Sequence, residues 1–127
     1  MIAYQQEDSS VAVCSLASSV PTGAQYIETN NVPEDKLFRS AWELGVDSIT
    51  TNMGKAKEIV HGKRRTKRAK AFEPHDDIIS KQIPDKSASV AEDSRQIIRD
   101  ADTIIQAVID ECVDEAALRQ VIIDTEL

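Results

Sequence analysis

Sixteen residues, "KAKEIVHGKRRTKRAK" at 55–70, hold eight of the chain's fifteen lysines and arginines, although the formal net charge is −7. An exposed run of this kind can contact phosphates, with an affinity that falls steeply as salt rises. Aromatic side chains for base stacking are not interleaved in it, and neither a recognition-helix pattern nor zinc-finger spacing accompanies it. The flanking stretches are acidic and would repel a polyanion. Nucleic acid is therefore the less expected partner. Pairing with carboxylates, inside the chain or on another protein, is the more expected one. Nucleic-acid binding or regulation through residues 55–70 stays as the alternative.

The remaining chemistry-bearing residues form weaker patterns. "EPHDDII" offers Glu73, His75, Asp76 and Asp77 as metal-capable side chains. They are adjacent in sequence, with no second His or Cys cluster to converge with, and Asp76 is expected to cap the turn after Pro74. "HGKRRT" lacks the G-x-x-x-x-G-K-[ST] spacing of a phosphate loop. Two histidines leave a His-dependent triad almost nothing to draw on. No catalytic constellation, cofactor motif or metal site emerges, and a non-enzymatic protein is expected. Cys14 and Cys112 lie far apart in apolar patterns and read as two buried free thiols. No charged and then apolar leader opens the sequence, and no run approaches the roughly 20 apolar residues that span a bilayer. A soluble, cytoplasmic protein without membrane attachment is expected.

These residues need elements to hold them, and charge divides the chain into territories. Residues 1–52 hold seven acids and two bases, 53–70 one acid and eight bases, and 71–127 fourteen acids and five bases. In the first, "IAYQ", "VAVCSLA", "AQYIET", "RSAWEL" and "DSITTN" read as short strands separated by turn residues, giving three to five strands of a small antiparallel sheet. From Asn52 the pattern is helical. Thr51 or Asn52 can cap a basic helix that Pro74 ends or kinks near Glu73. A connector bounded by Pro84 follows.

The strongest helical pattern is "SASVAEDSRQIIRDADTIIQAVIDEC". Val90, Ser94, Ile97, Ala101, Ile104 and Val108 recur at spacings of three and four, with Ile98, Ile105 and Cys112 one place over. This stripe is expected to be the buried face of a hairpin, with Asp100 and Asp102 away from it. Ala117, Leu118, Val121 and Ile122 give a short last helix its packing face. The expected architecture is α+β: a sheet domain over residues 1–52, then a helical region over 53–127. Such a small core favours a partner or self-association, so a homo-oligomer is a possible state.

"VPEDKLFRSAWEL" at 32–44, followed by "MGKAKEIVHGKRRTKR" at 53–68, resembles a family of small proteins from the tail modules of tailed bacteriophages. In that family a "P-x-D-R-x-F-R-x-A-W" block precedes a helix that opens "M-x-K-A-K-E-I" and continues as a basic "R-x-x-R" stretch. Pro33, Asp35, Phe38, Arg39, Ala41 and Trp42 match the block, and Met53, Lys55, Ala56, Lys57, Glu58 and Ile59 match the helix. Gly62 departs from it, standing where relatives keep better helix formers. The resemblance spans roughly residues 30–127 and brings no catalytic residue with it. It implies a tail or tail-fibre assembly protein whose partner is a tail-fibre or baseplate component. Such a protein is a virion subunit, an assembly chaperone or both, located in the host cytoplasm during assembly and then in the tail. On this view Lys63, Arg64, Lys67 and Arg68 form an exposed docking face. Trp42 is either a core residue or an interface anchor.

Overall fold

The computed structural model describes residues 1–33 and 36–127. Asp35, one of the residues that carry the resemblance, lies outside them. The fold is α+β, with an N-terminal three-stranded antiparallel sheet followed by three helices. The chain divides into two compact units, Met1–Ala56 and Lys57–Leu127.

In the first unit five short strands appear where β-branched and aromatic residues cluster: β1 (Ile2–Gln5), β2 (Val11–Cys14), β3 (Tyr26–Glu28), β4 (Trp42–Leu44) and β5 (Ile49–Thr51). β1 is the central strand of the order β2-β1-β3, antiparallel to both neighbours, and Ala3 stands opposite Val13 and Ile27. β4 and β5 form a separate antiparallel pair in which Trp42 faces Thr51. Alternation turns Ala3, Val11, Trp42 and Ile49 into one core, with Val13, Ile27, Val32 and Leu44 packed around it. Trp42 is thus a core residue, 1% exposed. Its Nε1 finds no hydrogen-bond partner among the described residues.

The turn between β4 and β5 closes because the Gly45 amide donates to the Ser48 carbonyl at 2.7 Å. A Cβ on Gly45 would sit 2.8 Å from that same oxygen, so the turn admits no side chain there without opening. Asn52 caps the helix that follows, its Oδ1 accepting from the Lys55 amide at 3.0 Å. The Asn52 amide and the Lys55 ammonium both donate to Glu43 Oε1, at 3.0 and 3.1 Å. Together they hold the Glu43 carboxyl below the usual value, the Asn52 bond first.

The helices are α1 (Met53–Lys81), α2 (Ala88–Glu111) and α3 (Glu115–Thr125). Ser87 caps α2 by accepting from the Val90 amide, and Asp114 caps α3 by accepting from the Ala117 amide. Three expectations need correction. α1 does not stop at Pro74 but carries it internally, with Asp76 and Asp77 inside the helix. Asp76 therefore caps no turn and instead makes a 3.1 Å ion pair with Arg95. Cys112 is buried, but Cys14 is only partly so. No helix among the described residues is long and apolar enough to cross a membrane.

Candidate docking surfaces

Much of the basic run is spoken for inside the second unit. Lys57, His61, Arg64, Arg68, Phe72 and Asp76 recur every three or four residues and so share one face of α1. That face is matched from α2, running antiparallel. Lys57 Nζ donates to the Asp110 carbonyl at 2.9 Å, and His61 Nε2 meets Asp110 Oδ1 at 2.8 Å. Arg64 and Arg68 both donate to Asp102 Oδ2, at 2.5 and 2.9 Å. Further along, the Arg95 and Arg99 guanidiniums lie 5.7 and 5.8 Å from the Phe72 ring centre. Arg64 Nε also donates to His61 Nδ1 at 3.2 Å, which leaves Nε2 as the imidazole N–H that faces Asp110. Charged rungs thus run along the hairpin beside a buried aliphatic set that includes Val60, Ile109 and Leu118.

Arg64 and Asp102 are 5% and 7% exposed. The expectation of an exposed docking face thus fails for Arg64, because burial beside Asp102 is where its charge is compensated. Arg68 is half-buried on the same carboxylate. Asp102, expected on the solvent side of α2, is at the centre of the pairing face. Lys63 and Lys67 fare differently. With Gly62, Thr66, Lys70, Glu126 and Leu127 they line an open cleft of about 630 Å³. Lys67 Nζ donates to the Thr125 carbonyl at 2.5 Å, placing a cation at the C-terminal end of α3 where the helix dipole is negative. Trp42, buried in the sheet core, presents no surface.

The second surface is on α2. Its inward line is Ala91, Arg95, Ile98, Asp102, Ile105, Ile109 and Cys112, with Ile109 wholly buried. The expected stripe lies one residue away, a rotation of about 100°, and faces outward. Val90, Ile97, Ile104 and Val108 are exposed. The predicted burial of Ile97 and Ile104 is therefore corrected, while Ile98 and Ile105 are partly buried as expected. On α3, Leu118 and Val121 are buried and Ala117 and Ile122 partly so, as their spacing predicts.

Sequence reasoning missed the ladder residues His61, Asp102 and Asp110. The available signal was register. In an antiparallel pair, residues 57 and 61 of one helix meet 110 of the other, 64 and 68 meet 102, and 72 meets 95 and 99. Asp110 and Asp102 thereby fall opposite His61 and the Arg64/Arg68 pair, and the Phe72 ring falls opposite Arg95 and Arg99. Near Glu73–Asp77 no group of three or more His, Cys, Asp or Glu side chains converges, nor does one elsewhere among the described residues. No family model matches the chain, and no curated protein or solved structure matches it.

Proposed function

We propose that this is a non-enzymatic protein of a bacteriophage tail module that works by docking to a tail-fibre or baseplate component, as a virion subunit, an assembly chaperone or both. The tail assignment draws on the resemblance over residues 32–44 and 53–68. The observation that carries docking is the outward apolar seam of α2. α2 turns its other face inward, with Asp102 and Ile109 buried there, so the aliphatic line Val90, Ile97, Ile104 and Val108 stands exposed. Regularly spaced apolar residues on a polar helix are what a partner covers. The cleft of Lys63, Lys67 and Lys70 offers a second, basic face to an acidic protein surface.

That same cleft supports the second reading, nucleic-acid binding. Mass spectrometry of purified virions and of assembly intermediates tests the first. The chain is expected in complex with a fibre or baseplate protein, at fixed copy number in virions if it is a subunit and missing from them if it is a chaperone. A gel shift tests the second. Tight DNA binding at physiological salt that Lys63→Glu/Lys70→Glu abolishes, with no tail complex in any fraction, would replace the docking proposal with the nucleic-acid one.

A further inference from the structure

We infer that the outward seam of α2 seats an amphipathic helix of another protein, one whose apolar stripe is bordered by lysine or arginine; this rests on the docking reading above. Val90, Ile97, Ile104 and Val108 are 63, 70, 66 and 45% exposed. Isolated exposed aliphatics are ordinary on a protein surface. These stand in one line at the heptad spacing by which one helix covers another. With Ala101 and Val108 at heptad position a and Ile97 and Ile104 at d, the bordering g positions are Asp93 and Asp100. Both are exposed, and neither joins an ion pair among the described residues. The bases that α2 does possess there, Arg95 and Arg99, are held by Glu92 and the Phe72 ring. The seam is thus apolar with an acidic border.

Charge selects the occupant. If a second copy lay antiparallel on this seam, its own Asp93 and Asp100 would face the same carboxylates. If it lay parallel, the border would meet Ile98 and Ile105, which belong to the inner side. Neither arrangement brings a cation, and each copy carries a net charge of −7. A helix with Lys or Arg beside its apolar stripe covers the seam and neutralises the border together.

Two synthetic peptides of about four heptads, identical in their Ile/Leu seam but with lysine or glutamate at every border position, provide the probe. Titrated with the whole chain by fluorescence anisotropy, the lysine peptide should bind at least about tenfold tighter than the glutamate peptide, and less tightly as salt rises. Ile97→Glu/Ile104→Glu should abolish binding while leaving the circular dichroism unchanged, and Asp93→Lys/Asp100→Lys should reverse the preference. Equal binding of the two peptides, or binding of neither, overturns the inference. So does self-association in the ultracentrifuge that Ile97→Glu/Ile104→Glu removes, since that assigns the seam to a second copy. A fibre or baseplate complex that survives the seam substitutions sinks this inference and leaves the tail reading standing. The lysine preference without any tail complex does the reverse.

Discussion

Asp102 carries the heaviest single burden in the helical unit, because one carboxylate oxygen compensates both the buried Arg64 and the half-buried Arg68. Removing one partner of a buried pair leaves an uncompensated charge. Asp102→Ala should therefore lower unfolding free energy by about 3–5 kcal/mol, read by denaturant titration. Replacing all three members, Asp102→Leu with Arg64→Leu and Arg68→Met, should restore most of that loss, since well-packed apolar groups often match a buried ionic cluster. If the single variant unfolds no earlier than the native chain, the pair is solvated and the ladder is not what joins the helices. Glu92 illustrates the exposed end of the scale. The hydrogen bond from Arg99, with help from Arg95, holds its carboxyl below the usual value. A depressed carboxylate pKa means that its contribution is present above the unfolded value and lost as pH falls through the folded one. Carboxylate NMR titration should place the Glu92 midpoint below that of an unperturbed glutamate, and Arg99→Ala should return it upward. The thiols separate in the same way. Cys112 is buried, and burial raises its pKa above the ordinary thiol value; Cys14 is partly exposed. Native-state alkylation should label Cys14 first, and equal rates at the two positions would contradict the burial of Cys112.

At the scale of the element, α2 separates two faces that hydropathy alone cannot rank. The outer line, Val90 to Val108, is the more apolar and was the natural choice for burial. The inner line includes Arg95 and Asp102, which count against it until the facing helix is known to offer Asp76, Phe72, Arg64 and Arg68. Ile109→Ala should accordingly cost about 2–5 kcal/mol, because a wholly buried side chain is truncated. Ile104→Ala should move stability by no more than about 0.5 kcal/mol. Reversed magnitudes would mean that the helix is rotated onto its outer line. Elsewhere the elements were legible: the strands from β-branched clusters, the Asn52 cap from its type, the last helix from Leu118 and Val121. Of the two outcomes expected at Pro74, an end or a kink, the continuous α1 excludes the end, because the proline rule is local. A proline inside a helix costs about 3 kcal/mol, but here cross-helix pairing on both sides, through Phe72 and Asp76, keeps α1 going. Gly62 is a second local weakness of α1. An added Cβ there meets nothing within 4 Å. Gly62→Ala should raise stability by about 0.5–1 kcal/mol in a thermal or urea melt. A loss instead would show that Gly62 needs its bare backbone.

Across the whole molecule, the segregation of charge along the sequence is a folding device before it is a binding one. The acidic stretch answers the basic one at Asp102, which spends Arg64 and Arg68 internally and leaves Lys63 and Lys70 at the cleft and the outer seam of α2 for contact. How the chain folds was therefore partly written in its charge map. Which face remains for a partner was not, because that depends on a rotation of one residue about the α2 axis. The proposed tail docking is tested most directly by a pull-down of the chain from cells that co-express candidate bacteriophage tail-fibre and baseplate proteins, native against Ile97→Glu/Ile104→Glu. The predicted result is a fibre or baseplate protein retained by the native chain and lost from the variant, with both chains equally folded. Retention of that protein by both, or by neither, would contradict docking through the α2 seam.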